Sequence, residues 1–125
     1  MLYLSYFNQI KDNFYSYKGR LNRKPYLIRY AIIIIIAFLN RLIADSFGGP
    51  NAGHGIIFNI IVLLLGVAIF MLDIKRLHDL GKSGYWVLLM FVPLVNIGFL
   101  LYLLIAVGET DANEYGPNPL EADLK

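Results

Sequence analysis

The sequence predicts an all-α integral membrane protein, with three transmembrane helices and an amphipathic N-terminal helix at the membrane interface. Of its 125 residues, 58% are hydrophobic and only 16% are charged, whereas roughly 25% are charged in ordinary globular proteins. A soluble chain this short has too little interior to hide so much apolar surface. Its length also indicates a single domain, which we take as 1–125.

Three long apolar segments are the candidate transmembrane helices: 26–44, 56–72 and 85–107, which are 19, 17 and 23 residues long. A helix rises about 1.5 Å per residue and needs roughly 20 residues to cross a hydrocarbon core of about 30 Å. The β-branched run Ile32–Ile36 would favour a strand in a soluble protein. Strands are short, however, and no polar residue interrupts these segments at strand spacing, so their length predicts helices.

The N-terminal segment 1–18 is too polar to be a fourth span. Its apolar side chains recur at helical spacing along one face: Tyr3, Phe7, Ile10, Phe14 and Tyr17. Such a stripe indicates an amphipathic helix, and its aromatic residues suit the inner membrane interface. A short soluble helix packed on a loop is the alternative.

The distribution of basic residues predicts the orientation. Lys and Arg are concentrated before the first span and in the loop 73–84, whereas the loop 45–55 has none. The polar tail 108–125 has five acidic residues and one lysine. The positive-inside rule therefore places the N-terminus and the loop 73–84 in the cytoplasm, and the loop 45–55 and the C-terminal tail outside.

The polar loop between the second and third spans could be mistaken for an active site. A phosphate-binding loop ending at Gly81-Lys82-Ser83 would need glycine at position 76, where Arg76 stands. His78 and Asp79 lack a nucleophile motif, and a metal site needs several ligands. The other histidine, His54, is predicted on the opposite side of the membrane. We therefore expect no catalytic residue, no metal and no cofactor.

The same loop has the pattern of a capped, ion-paired helix end. Asp73, Arg76 and Asp79 are spaced i, i+3 and i+6, so Arg76 can pair with either acid. Gly81 suits the left-handed residue that follows a helix. Ser83 suits the N-cap of the third span.

Basic residues before and just inside the first span add to this polar face. An unpaired Arg29 one turn into the hydrocarbon would be costly, so we predict that Asp73 pairs with Arg29 or Arg23. Together these residues form the predicted interfacial cluster: Arg20, Arg23, Arg29, Asp73, Arg76, His78, Asp79 and Lys82.

Few polar residues occur within the spans. Asn40 and Asn59 fall at matching depth in the first two spans, which predicts a hydrogen bond between their side chains. Pro93 should kink the third helix, and Asn96 follows it in mid-span. Helix packing is the favoured role of these polar residues, and a permeation path is the alternative.

Three patches carry a resemblance to a known family: "FYSYKGRLNRKPY" at 14–26, "KRLHDLGKSGYW" at 75–86 and "GETDANEYGPNP" at 108–119. The chain resembles the DUF805 family of small bacterial inner-membrane proteins. It departs from the family pattern at Lys75, at Tyr85 and at the pair Lys24-Pro25. The resemblance implies a location in the bacterial inner membrane, and the family is one of unknown function.

We expect a small non-enzymatic module whose basic cytoplasmic face binds anionic lipid headgroups, a partner protein or a second copy of the chain. Each basic residue near an anionic surface is worth about 1 kcal/mol. A net charge of +2 is too small to indicate nucleic-acid binding, and the absence of cysteine excludes disulfides and thiol chemistry. An oligomeric channel or small-solute transporter lined by Pro93 and Asn96 is the alternative, and a membrane-embedded enzyme ranks third.

Overall fold

A computed structural model of the chain describes residues 1–49, 51, 53 and 55–122. Within these residues the fold is helical and contains no β-strand, which confirms the predicted all-α class. The helices are α1 Leu2–Phe14, α2 Arg23–Ser46, α3 Gly55–Asp79, a 3₁₀ helix Gly84–Phe91, α4 Val95–Ile105 and α5 Pro119–Ala122.

The two long helices α2 and α3 correspond to the first two predicted spans. By length and composition both are apolar enough to cross a membrane, and they pack against each other along their length. Much of their outer surface is apolar and exposed, including Ile35 and Leu63, as suits a surface in contact with lipid. Residues facing the neighbouring helices form the core: Leu21, Tyr26, Ile33, Ala68, Leu72, Leu77, Val87, Phe99 and Leu103.

Helix α3 is longer than predicted. It continues through 73–79, which was predicted as part of a loop, because neither glycine nor proline occurs from residue 73 until Gly81. Gly81 then adopts φ +71°, as predicted for the residue after a helix end. Ser83 caps the 3₁₀ helix by accepting a hydrogen bond from the Tyr85 N–H at 3.4 Å. The polar residues of the loop are therefore fixed to a helix.

The third apolar segment, predicted as one span over 85–107, is a helical hairpin. Its 3₁₀ arm runs back along α3, so that the Phe91 and Phe70 rings lie 6.4 Å apart. The chain then reverses at Pro93, which has no N–H to continue a helix, and Leu94 takes a left-handed φ of +66°. Arm α4 returns to the polar end of α3, where the Leu103 carbonyl meets Arg76 at 2.9 Å. The expected kink is therefore a full reversal.

The depth of the reversal follows from its position along α3. Phe70 lies nine residues before the end of α3 at Asp79, which is about 14 Å at 1.5 Å per residue. The hairpin of residues 84–105 is therefore about half as long as the roughly 30 Å thickness of a hydrocarbon core.

The tail returns to the same end of the molecule as the segment 73–84. The Glu109 N–H donates to the Asp79 carbonyl at 2.8 Å, and the Asn113 amide donates to the His78 carbonyl at 2.9 Å. The predicted placement of these two segments on opposite sides of a membrane is therefore wrong. The positive-inside reasoning assumed that every apolar segment runs from one end of the molecule to the other, whereas the hairpin returns to the end at which it begins.

Helix α1 is shorter than the predicted interfacial segment 1–18. It ends at Phe14, and no residue within it is buried. Its C-terminal end contacts α3, since the Lys75 ammonium donates to the Asp12 carbonyl. The membrane-surface position of α1 stays a prediction.

Candidate functional site

A buried arginine organises the polar end of the helices. Arg76 is fully buried one turn before the end of α3. Its Nε donates to the Leu103 carbonyl at 2.9 Å, and its Nη2 donates to the Ala106 carbonyl. Leu103 lies in the last turn of α4 and Ala106 is its C-cap, so no helical N–H is left to satisfy these carbonyls. Arg76 therefore caps the returning arm of the hairpin.

A second arginine joins the same carboxylate from the other side. Asp79 accepts a bond from Arg76 Nη1 at 2.7 Å and one from Arg20 Nε at 3.0 Å. The Arg20 and Asp79 side chains are each only 1% exposed. We call Arg20, Arg76 and Asp79 the arginine clip. Of the two acids that the spacing offered to Arg76, Asp73 and Asp79, the structure pairs it with Asp79.

The clip also holds the tail. Arg20 donates to the Glu109 carbonyl at 2.6 Å and to the Asp111 carbonyl at 2.8 Å. Gly108 passes so close to the Asp79 carboxylate that a Cβ at this position would collide with it. Arg20 therefore uses backbone carbonyls as acceptors for the N–H groups that do not reach Asp79.

His78 lies beside the clip and is also tied to the tail. Its ring stacks on Tyr115 with centroids 3.9 Å apart and planes 4° from parallel. Its Nδ1 lies 3.1 Å from the Gly19 carbonyl, a geometry in which Nδ1–H is the donor. Desolvation and the neighbouring Glu114 raise the pKa of the Tyr115 phenol above its ordinary value, so Tyr115 stays neutral in the stack.

The predicted pairing of Asp73 with Arg29 or Arg23 is wrong. Asp73 accepts a hydrogen bond from the Tyr26 hydroxyl at 2.7 Å. Arg29 turns toward α1, where it donates to the Asn13 side chain at 3.0 Å. Arg23 donates at 3.1 Å to the carbonyl that ends α4. Each of the two arginines therefore has a partner other than Asp73.

The remaining predicted residues lie apart from the clip. The Lys82 ammonium lies 5.7 Å from the centre of the Trp86 ring, a cation–π contact. Asn40 donates to the Phe58 carbonyl at 3.3 Å. Asn59 is exposed, so the predicted bond between Asn40 and Asn59 is wrong.

The burial of two of its arginines changes the interpretation of the predicted interfacial cluster. Arg20 and Arg76 direct their donors to Asp79 and to backbone carbonyls, so their charges are not free for headgroups. Exposed cations at this end include Lys11, Lys18, Arg23 and Lys24. Among the residues described, no three His, Cys, Asp or Glu side chains come together as a metal site would require.

An apolar groove opens beside His78. It has a volume of about 680 Å³ and lies between the segment 17–19, α3 and the 3₁₀ helix. The apolar side chains that line it are Phe70, Ile74, Val87 and Leu88. The polar and aromatic side chains that line it are Tyr17, Lys18, His78, Ser83, Tyr85 and Tyr115.

The groove, the clip and the hairpin involve all three patches on which the family resemblance depends. A family profile described as "Protein of unknown function (DUF805)" matches residues 14–117. The chain belongs to this family. It is 26% identical over 117 residues to "Inner membrane protein YhaH" of Escherichia coli (strain K12), covering 93% of this chain and 97% of that protein.

A second relative has the same kind of name. The chain is 28% identical over 131 residues to "Inner membrane protein YhaI" of Escherichia coli (strain K12), covering 93% of this chain and 96% of the relative. No solved structure matches. Together with the two long apolar helices, these relatives make the chain a helical inner-membrane protein.

Sequence reasoning missed several residues of this site. Tyr26 lay inside an apolar span, and nothing in the local pattern connected it to Asp73. Asn113 and Tyr115 belong to the tail patch of the resemblance, which was the signal that the tail takes part in the fold. Gly108 stands at the start of that patch, where its close approach to Asp79 excludes a side chain.

Proposed function

We propose that this protein is a small non-enzymatic module of the inner membrane that binds one anionic phospholipid in the groove beside His78. The observation that carries the proposal is the pairing, within one groove, of an apolar wall and a cationic rim. A phospholipid has the same division between acyl chain and phosphate.

The apolar wall suits an acyl chain. Phe70 and Val87 line the groove from α3 and from the 3₁₀ arm, and Leu88 is more than half exposed beside them. Each methylene that leaves water is worth about 0.8 kcal/mol. An acyl chain that is already in the bilayer gains less free energy on entering the groove. The apolar wall therefore fixes the shape of the lipid that fits and adds little to the affinity.

The rim supplies selectivity for charge. Lys18 is exposed and forms no ion pair with any residue that the structure describes. Its ammonium and the Ser83 hydroxyl are donors for a phosphate oxygen. A lysine near an anionic surface is worth about 1 kcal/mol, or roughly fivefold in lipid preference.

We also propose that both termini lie in the cytoplasm, with α2 and α3 crossing the membrane and the hairpin entering from the cytoplasmic side. The basic residues near 18–24 and 75–82 support this orientation. The hydrogen bonds that tie the tail to Arg20 and His78 support the same cytoplasmic side for the C-terminal tail. A reporter fused after residue 122 should be active in the cytoplasm, and one inserted after residue 48 should be active outside. The reverse result for the first fusion would reject this topology.

Lipid binding is testable in nanodiscs of equal parts phosphatidylcholine and phosphatidylglycerol. We expect native mass spectrometry to show phosphatidylglycerol enriched on the wild-type protein. Lys18→Glu should reduce this enrichment at least fivefold, because it reverses the charge at the rim. Leu88→Trp should reduce the total lipid bound, because the indole fills the groove.

The matched control is Lys24→Glu, which makes the same charge change on an exposed lysine outside the groove. It should leave the enrichment within twofold of wild type. Equal losses in the two lysine variants would indicate nonspecific attraction to the membrane surface. Such a result, or a wild-type protein without preference for phosphatidylglycerol, would reject the proposal.

A further inference from the structure

A second polar feature lies away from the groove, where α2, α3 and α4 meet. Asp73 is only 1% exposed. Its Oδ1 accepts the Tyr26 hydroxyl, but no donor among the described residues reaches its Oδ2. Buried carboxylate oxygens are ordinarily hydrogen-bonded, since leaving one without a partner costs free energy.

A cavity of about 210 Å³ lies against this carboxylate. Tyr30, Asn96 and Phe99 line it together with Asp73. Water occupies about 30 Å³ in the liquid, so the cavity has room for a small organic molecule. Asn96 brings a side-chain amide from the first turn of α4, next to the reversal of the hairpin.

The nearby guanidinium groups do not neutralise Asp73. Arg76 directs its donors to Asp79 and to the carbonyls that end α4, and Arg29 donates to Asn13. Arg20 is bound to Asp79 and to the tail. None of these three arginines donates to Asp73 Oδ2, so this oxygen has its acceptor capacity free for a ligand.

The lining selects among cations. Ca²⁺ takes six to eight oxygen ligands, and Mg²⁺ requires octahedral geometry, which one free carboxylate oxygen and one amide do not supply. A protonated amine needs only an acceptor for its N–H groups and apolar surface for its carbon chain. The Tyr30 and Phe99 rings provide that surface and can also attract the ammonium through their faces.

We infer that this cavity binds a small protonated primary amine, whose ammonium donates to Asp73 Oδ2 and to the Asn96 side-chain carbonyl. The alkyl part lies against Tyr30 and Phe99. This site is separate from the lipid groove, and its existence does not depend on the proposed lipid binding.

The test uses the full-length protein in nanodiscs of phosphatidylcholine, titrated with n-butylammonium chloride by calorimetry. Butanol is the neutral control, and tetramethylammonium is the control that keeps the charge but has no N–H. We expect saturable binding of butylammonium, at least tenfold weaker binding of tetramethylammonium, and no saturable binding of butanol. Equal responses to butylammonium and butanol would show partition into lipid and overturn the inference.

Variants locate the binding. Asp73→Asn should weaken butylammonium binding at least tenfold, since bonds to charged groups are the strong ones. Asn96→Leu should weaken it about fivefold, and Asn96 is exposed enough for replacement without loss of the fold. Asn59→Leu makes the same change at an exposed position outside the cavity and should bind as wild type does.

Tyr26→Phe is the control for a loss of binding that is caused by misfolding. It retains the Asp73 carboxylate and frees its second oxygen, so butylammonium binding should be retained or tightened, with thermal unfolding measured beside it. If Asn96→Leu and Asn59→Leu bind equally well, or if Asp73→Asn folds and binds as wild type, the inferred site is rejected.

Discussion

Replacing Asp79 with asparagine should be one of the most destabilising single changes in this chain. The carboxylate accepts one charge-assisted bond at 2.7 Å and another at 3.0 Å, from two different guanidinium groups. Bonds to charged groups contribute about 1.5–3 kcal/mol each. Asparagine has the same shape, but it brings an NH₂ group toward a guanidinium donor. The change also leaves Arg20 and Arg76 without a counter-ion in a buried site.

Breaking a buried ion pair by removing one partner costs about 3–5 kcal/mol, so we expect Asp79→Asn to lower the free energy of unfolding by that amount. The assay is reversible unfolding in mixed micelles with increasing denaturing detergent. Hydrogen exchange of the amides at 108–116 should rise in parallel, because Arg20 then no longer holds the tail carbonyls.

The matched control is Asp45→Asn. Asp45 forms an ion pair with Arg41 at 3.1 Å, but these side chains are 47% and 63% exposed. An exposed i, i+4 pair is worth only about 0.3–0.5 kcal/mol, so this variant should unfold almost as wild type does. If the two variants differ by less than about 1 kcal/mol, the clip is not a stabilising element and our reasoning is refuted.

Three further changes, the first of them with a matched control, test other parts of the fold by thermal unfolding. Gly108→Ala should destabilise by about 1–3 kcal/mol, since its methyl group would collide with Asp79. Gly98→Ala, where a Cβ meets nothing, should be neutral or stabilising; equal losses in both would contradict the close approach. Leu94→Gly should stabilise by up to about 1 kcal/mol, because glycine takes the +66° φ without strain; a loss would argue that packing dominates. Tyr115→Ala should cost about 0.5–1.5 kcal/mol through the lost ring stack and speed hydrogen exchange in the tail; unchanged exchange would contradict a role in docking it.

The membrane class and the two long helices could be predicted because they depend on local properties. The hydrophobic residues of α2 and α3 are consecutive, and a run of that length has few alternatives to a helix. The pairing of Arg76 with Asp79 was also predictable, since side chains three residues apart on one helix are neighbours.

The hairpin could not be predicted from length, because the 23 residues of 85–107 satisfy the rule for a span. Its reversal depends on Pro93 and on a left-handed Leu94, a conformation uncommon for residues other than glycine. It also depends on Arg76, which caps α4 across 27–30 residues of chain. The error in topology followed directly, since an alternation of sides requires every apolar segment to cross.

The partner of Asp73 shows the same limit. Charge complementarity favoured an arginine, and two were at suitable depth. Tyr26, 47 residues away in sequence, is the partner instead, because α2 and α3 pack with this face of α2 toward α3. Pairing rules within a helix carry no information about the register between helices.

The arginine clip connects the groove to the cavity. Arg20 adjoins Gly19, which lines the groove, and it also holds the tail that brings Tyr115 to the same groove. Arg76 holds the end of α4, whose other end presents Asn96 to the cavity. Removing the charge of Asp79 should therefore weaken phosphatidylglycerol enrichment and butylammonium binding together, although Asp79 lines neither site. Leu88→Trp should affect only the lipid. If Asp79→Asn leaves both kinds of binding intact in protein that remains folded, then the groove and the cavity are held by helix packing alone.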